Sequence, residues 1–170
     1  AGTADKRGDI LVKATGDDGS ITVSSGQVDG NNVTLNASKG VTEDAAVNAA
    51  ADKLVMAADG DITATTPGTV KGNAAYIADA GAVNGGEIAA TGFVYLRGES
   101  QGTASAKSTN GGKSFVKYGE TQFEGEGGSI SRDGEGNVIF TDADTVAFSG
   151  ASENVKVVST TKGVNVGTVS

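Results

Sequence analysis

Three oxygen-bearing side chains stand at alternate positions near the end of the chain: Asp133, Glu135 and Asn137. This spacing is typical of the first half of a calcium-binding loop. Such a loop also needs glycine at the next position and an acid at the twelfth; Val138 fails the first requirement and Asp144 meets the second. The alternative is a glycine-rich turn between two strands. Calcium is the only ion or cofactor that the sequence suggests.

A second motif lies at the start of the chain, where Arg7, Gly8 and Asp9 form an RGD tripeptide. This tripeptide is a cell-attachment signal in some adhesive proteins. The alternative is a polar lead-in to the first strand, in which Gly8 and Asp9 shape a turn.

Two N-x-S/T sequons follow, at Asn32 and Asn36. The two asparagines are four residues apart, so both would face the same side of one strand while Val33 and Leu35 face the other. They are candidate glycosylation sites. The alternative is an ordinary polar outer face of that strand.

The composition excludes several kinds of chemistry. The chain has no cysteine and no histidine, which rules out disulfides, thiolate metal sites and histidine acid–base catalysis. A net charge of −8 does not suit nucleic acid or an anionic membrane surface, and no apolar run is long enough to insert into a bilayer. Paired carboxylates could still cleave polysaccharides. Because the chain has no tryptophan and only 3 tyrosines to stack on sugars, we predict that it is not an enzyme.

Short strands must position all of these residues. Apolar and polar residues alternate in runs of four to six, for example at 10–14, 33–37 and 94–98. Asp-Gly, Asn-Gly and Gly-Gly pairs separate the runs and end the strands. Strand and corner together take roughly eight residues, and three such units give roughly 20–25 residues, the period of a solenoid coil. We therefore predict an all-β solenoid of about seven or eight coils, in one domain spanning residues 1–170.

Two segments depart from this pattern. Residues 42–59 are alanine-rich, and Thr42 could cap a helix whose first turn holds Glu43 and Asp44. We predict a short helix near 43–51, within a helical insertion over 42–52, followed by a strand near 53–57. Residues 1–7 are polar and do not repeat, so they are expected to form a lead-in or a cap.

The stretch GAVNGGEIAATGFVYLRG (81–98) resembles the haemagglutinin-type repeats of large bacterial exoproteins, the filamentous-haemagglutinin-like adhesins of two-partner secretion. The residues that fit the repeat are Asn84, Gly85, Gly86, Ile88, Ala90, Gly92, Val94 and Leu96. Residues 8–40 follow the same repeat pattern. The resemblance implies a right-handed parallel β-helix, a secreted or cell-surface location, and roles in adhesion, biofilm or contact-dependent competition. The Asn-Pro-Asn-Gly secretion motif of the family is missing, so the resemblance implies an interior or C-terminal piece, or a shorter relative.

These observations lead to one expected function and two alternatives. The expected function is a non-catalytic structural or adhesive β-helix segment of a bacterial surface exoprotein, with a host or neighbouring-cell surface as its partner. The first alternative is a self-assembling subunit that stacks head to tail into an extracellular filament. The second, less favoured, is a polysaccharide-active β-helix enzyme.

Overall fold

The fold is built from short strands joined by tight corners. The computed structural model describes residues 7–150 and 154–170, and within these ranges it contains twenty strands and no helix. The strands are β1 (Ile10–Ala14), β2 (Ser20–Val23), β3 (Val28–Gly30), β4 (Val33–Ala37), β5 (Gly40–Glu43), β6 (Val47–Ala49), β7 (Lys53–Ala58), β8 (Ile62–Ala64), β9 (Asn73–Ala78), β10 (Val83–Gly85), β11 (Glu87–Ala90), β12 (Val94–Gly98), β13 (Ser105–Ser108), β14 (Lys113–Tyr118), β15 (Thr121–Glu126), β16 (Ser129–Arg132), β17 (Val138–Thr141), β18 (Thr145–Ser149), β19 (Val155–Val158) and β20 (Asn165–Val169). Most of the predicted lead-in, residues 1–6, lies outside the described residues.

The strands stack into three sheets. Sheet A has the order β1-β4-β7-β9-β12-β14-β15-β18-β20, sheet B has β10-β8-β5-β2, and sheet C has β11-β13-β16-β17-β19. The pair β3-β6 continues sheet C through two isolated bridges at Val70. From β1 to β14 every neighbouring pair in sheet A is parallel. The chain is therefore a β-solenoid of about 8 turns, as the sequence predicts. The extent of the domain, residues 1–170, stays a prediction.

Alternation along each strand decides which side chains fill the interior. In β4, Val33, Leu35 and Ala37 are buried, while Thr34 and Asn36 between them face outward. Because paired strands keep their register, apart from a bulge between β18 and β20, each inward residue stacks on its equivalent in the next coil. Two such core columns run through all nine strands of sheet A. They comprise Ile10-Val33-Leu54-Ala74-Val94-Ser114-Gly125-Val146-Val166 and Val12-Leu35-Met56-Tyr76-Leu96-Val116-Phe123-Phe148-Val169.

The predicted helix near 43–51, and with it the helical insertion over 42–52, is wrong. Instead β5 ends at Glu43 and β6 spans Val47–Ala49, both paired in parallel with neighbouring coils. Glu43, Ala45, Val47 and Ala49 are buried at every second position, which is strand periodicity. Hydrogen bonds and packing between coils therefore outweigh the helix propensity of the alanines. The strand predicted near 53–57 is confirmed by β7.

One coil runs backwards. Its strand β15 is antiparallel to β14, and its strand β16 is antiparallel to β13. The corner between them is Gly127-Gly128, where both residues have positive φ, 67° and 61°. The strands β17 and β18 are then antiparallel to β16 and β15, so the forward direction returns. Residues 121–132, which we call the reversed coil, thus lie between two forward-running parts of the solenoid.

Aromatic rings fill the core around the reversed coil. Phe123 packs against Phe140 and Phe148 with ring centroids 6.3 Å away in each case, and Tyr118 lies 6.1 Å from it. The Arg132 guanidinium lies over the Tyr118 ring, 4.9 Å from its centroid. Among the described residues, sheet B has no strand after β10. The larger side chains occur in the part of the solenoid where this third sheet is missing.

Candidate functional site

The loop suggested for calcium is the hairpin between β16 and β17, so the predicted glycine-rich turn is confirmed. Within it, Asp133 Oδ1 accepts hydrogen bonds from the backbone N–H groups of Glu135 and Asn137, both at 2.9 Å. Asp133 Oδ2 accepts one from Asn137 Nδ2 at 2.8 Å. The hydrogen bonds from Asn137, followed by those from the backbone, hold the pKa of Asp133 below its ordinary value. Its carboxylate organises the loop, and calcium binding by these residues stays a prediction.

The RGD tripeptide is hydrogen-bonded to the next coil. The backbone carbonyls of Arg7 and Gly8 accept hydrogen bonds from the Asn31 side chain and backbone respectively. Asp9 Oδ1 accepts hydrogen bonds from Asn32, from the backbone N–H at 3.2 Å and from Nδ2 at 3.0 Å. The tripeptide therefore leads directly into β1, held by Asn31 and Asn32 of the next coil, and it forms no turn of its own. Cell attachment through it stays a prediction.

The two sequon asparagines differ in environment. Asn36 is exposed on the outer face of sheet A. Asn32 lies at the preceding corner, where its Oδ1 accepts hydrogen bonds from the backbone N–H groups of Asp52 and Lys53. Its Nδ2, the atom that glycosylation would modify, already donates to Asp9. Of the two predicted sites, Asn36 is the more accessible to a glycosylating enzyme.

Two open grooves lie beside the first coils. The larger, about 540 Å³, is lined by Asp17, Asp59 and Asn36 among others, with no basic side chain in its lining. The smaller, about 220 Å³, brings Arg7 and Lys71 near Asp29. The Asp29 carboxylate already accepts hydrogen bonds from Asn48 Nδ2 and Gln27 Nε2. Neither groove gathers an acid pair together with a basic residue.

A buried acid that the sequence analysis missed lies inside the solenoid. Glu43 is fully buried; its Oε1 accepts hydrogen bonds from the backbone N–H groups of Val47 at 3.0 Å and Gly68 at 3.1 Å. Its Oε2 accepts one from Tyr76 Oη at 2.9 Å. Burial raises the pKa of Glu43, although these hydrogen bonds oppose the rise. Burial, together with the nearby carboxylate, raises the pKa of Tyr76 well above its ordinary value. The hydrogen bond between Tyr76 and Glu43 links two coils of the solenoid.

The outer face of sheet A carries a second missed feature. On two neighbouring coils, six outward positions form two rows of three. We call this the outer grid: Phe93, Tyr95 and Arg97 in one row, and Lys113, Phe115 and Lys117 in the other. Tyr95 and Phe115 lie directly opposite each other, with ring centroids 6.3 Å apart in an edge-to-face arrangement. Phe93 is 43% exposed, so an aromatic surface faces outward. Burial of Val94 and Leu96 requires Phe93 and Tyr95 to point outward, so alternation alone could have revealed the grid.

Charged neighbours define the electrostatics of the outer grid. Arg97 lies 3.4 Å from Asp79, and Lys113 lies 2.7 Å from Glu124 on β15. The hydrogen bond and charge of Glu124 raise the pKa of Lys113. The grid thus combines three aromatic rings with three cationic side chains, on a protein whose net charge is −8.

The geometry defines the class of protein, a β-solenoid built from stacked coils. The sequence matches no protein-family model, no curated protein and no solved structure. Within residues 7–150 and 154–170, no three or more histidine, cysteine, aspartate or glutamate side chains are grouped so as to hold a metal ion. The same part of the chain contains no helix with the length and apolarity needed to span a membrane.

Proposed function

We propose that this chain is a non-catalytic, extracellular adhesive segment of a bacterial surface exoprotein. The solenoid supplies a stiff rod, because backbone hydrogen bonds link each coil to the next and the core columns are continuous. The repeat pattern of residues 81–98, which resembles that of haemagglutinin-type adhesins, supports the same proposal. The rod's role is to hold a contact face rigidly away from the cell.

The observation that carries the proposal is the outer grid. A sheet face exposed to water is ordinarily polar, whereas this one presents Phe93, Tyr95 and Phe115 together. Clustered exposed apolar groups mark interaction sites more often than single ones do. Because the three rings are mounted on neighbouring coils of a hydrogen-bonded sheet, little conformational entropy is lost when a ligand binds.

The chemistry of the grid fits an anionic polysaccharide on a cell surface. Aromatic rings offer flat apolar faces to the C–H faces of sugar rings. Arg97 and Lys113 flank those rings but already form ion pairs with Asp79 and Glu124. Lys117, which has no ion-pair partner among the described residues, is the cation that attracts a carboxylate or sulfate group. An anionic chain approaching this protein is repelled by its net charge of −8, so local cations of this kind are needed for it to bind.

A binding titration tests the proposal, with polygalacturonate as the anionic probe and dextran as the neutral one. We expect binding to polygalacturonate that weakens with salt. The Phe93→Ser/Phe115→Ser double variant should abolish it, and Lys117→Gln should weaken it several-fold. Lys107→Gln is the matched control, since Lys107 lies on the outer face of sheet C beside Glu87. Equal binding by the parent and the double variant, or no binding to either polysaccharide, would overturn the assignment of this face.

A further inference from the structure

One corner of the solenoid is longer than the corner on which it stacks. Between sheets C and A, residues 91–93 form the corner of one coil and residues 109–113 form that of the next. Both ends of the longer corner keep their places in the stack. The Thr109 N–H donates to a backbone carbonyl of the shorter coil at 2.8 Å, and a Cβ added to Gly112 would lie 3.0 Å from another. The additional residues are therefore the exposed pair Asn110-Gly111.

The chain contains a second Asn-Gly pair, and its environment is different. In β10 the Asn84 Oδ1 accepts a hydrogen bond from the Thr103 N–H at 3.2 Å, and the Gly85 N–H donates to Thr103 Oγ1 at 3.1 Å. In the longer corner, neither the Asn110 side chain nor the Gly111 N–H has a hydrogen-bond partner among the described residues. The space around Gly111 is open as well. One pair is thus held by the next coil, whereas the other is free to change conformation.

This freedom matters because an asparagine that precedes glycine can react with its own backbone. The Gly111 nitrogen gives its proton to hydroxide and attacks Asn110 Cγ. A new C–N bond forms, the side-chain nitrogen leaves as ammonia, and a succinimide ring results. Water then opens the ring at either carbonyl carbon and gives aspartate or isoaspartate, so no oxidant or reductant is needed. Glycine has no Cβ to hinder this attack, and exposure supplies the water.

We propose that Asn110 is a site of spontaneous covalent modification, at which a carboxylate replaces the side-chain amide. The product carries a negative charge at neutral pH. It lies in the corner that leads into Lys113, the first residue of one row of the outer grid. Because consecutive Cα atoms are ~3.8 Å apart, the two residues are separated by at most about 11 Å, comparable with the Debye length of about 8–10 Å. The new charge therefore repels an anionic chain at the grid; this consequence rests on the proposed function, whereas the modification does not.

Peptide mapping by mass spectrometry, after incubation in mildly alkaline buffer, tests the modification. Trypsin cleaves after Lys107 and Lys113 and releases the peptide 108–113, in which Asn110 is the only asparagine. This peptide should gain the mass difference between OH and NH2 and separate into aspartate and isoaspartate forms, faster at higher pH. Asn84 should stay unmodified in the folded protein and should react as fast as Asn110 once urea unfolds the chain. An unmodified Asn110, or equal rates at the two sites in the folded protein, would overturn the proposal.

Two variants of the exposed asparagine test the consequence for binding. Asn110→Asp carries the charge of the product, and Asn110→Gln is its neutral control, in which the longer side chain also disfavours ring closure. Polygalacturonate should bind Asn110→Asp several-fold more weakly than Asn110→Gln, and the difference should disappear at high salt. Equal binding by the two variants at low salt would overturn the consequence. A parent that does not bind polygalacturonate would overturn the adhesive function and this consequence together, whereas the modification is read from mass alone.

Discussion

The forward coils of residues 10–118 and the coils of residues 121–150 and 154–170 solve the same packing problem differently. In the first region every strand pair of sheet A is parallel, and the core consists mainly of valine, leucine, isoleucine and alanine. In the second region the reversed coil interrupts the stacking, and Phe123 and Phe140 form the centre of the core. A regular repeat lets like residues stack on like; where the repeat is broken, large rings fill the interior instead.

The two regions also differ in the hydrogen bonds that polar side chains make to the backbone of the next coil. In the first region the position before the first core column holds Asp9, Asn32, Lys53 and Asn73. Asp9, Asn32 and Asn73 each accept a hydrogen bond from the backbone N–H of the following coil. Around the reversed coil, glycine takes over the structural role. Gly125 faces the Phe140 ring, where an added Cβ would lie 3.3 Å from the ring. Side-chain hydrogen bonds thus link coils whose chains run in the same direction, whereas small residues make room where the chain direction reverses.

The largest expected effect comes from a charge in the regular core. Val94 is fully buried in a core column, so Val94→Asp buries an unpaired carboxylate and should lower the free energy of unfolding by about 4 kcal/mol or more. Urea unfolding followed by circular dichroism measures the loss. Val157→Asp is the control at the open end, where 38% exposure leaves the carboxylate hydrated, and it should cost less than about 1 kcal/mol. Equal losses would show that the coils do not stack as described.

Removing one ring from the second region should come next. Phe123→Ala deletes the ring that contacts Tyr118, Phe140 and Phe148, at an expected cost of about 3–5 kcal/mol. The control Phe93→Ala removes an outward ring and should change the free energy of unfolding by less than about 1 kcal/mol. If the two variants melted at the same temperature, the aromatic cluster would not be the core of this region.

The corner of the reversed coil should tolerate a methyl group poorly. In Gly128→Ala the new Cβ would lie 2.0 Å from the Thr141 carbonyl oxygen, at a φ of 61°, so we expect a loss of about 2 kcal/mol or more. Gly26→Ala is matched in φ, at 72°, but has open space around it, and should cost about 1 kcal/mol. Thermal unfolding of both proteins separates the steric clash from the backbone strain.

The smallest expected effect concerns the pH dependence that the buried side chain of Glu43 gives to stability. Because the folded-state pKa of Glu43 is raised, its stabilising contribution is complete below the unfolded pKa and is lost as pH rises through the folded value. Glu43→Gln removes this titration but keeps the shape of the side chain. The parent should therefore gain stability relative to Glu43→Gln as pH falls from neutral to below the ordinary glutamate range. A pH-independent difference in urea midpoints would contradict this.

The sequence predicts the solenoid and its number of coils because alternation and glycine-rich corners are local signals. It does not predict β5 and β6 at residues 40–49, because the hydrogen bonds that form them come from neighbouring coils. The reversed coil is also missed, since direction depends on which strand β15 meets, not on its own residues. At the candidate sites, alternation implies the outer grid, whereas the contact between Glu43 and Tyr76 spans 33 residues and leaves no local trace.

The reversed coil also bears on how the chain reaches its fold. Forward coils bring together residues 18 or more positions apart, such as Leu54 and Ala74, and the entropy lost in closing such a loop precedes any gain from contacts. The hairpin of β14 and β15 closes across Gly119 and Glu120 alone, and hairpins form in about 1–10 μs. We therefore expect this hairpin to form first and to serve as the nucleus onto which coils add in both directions.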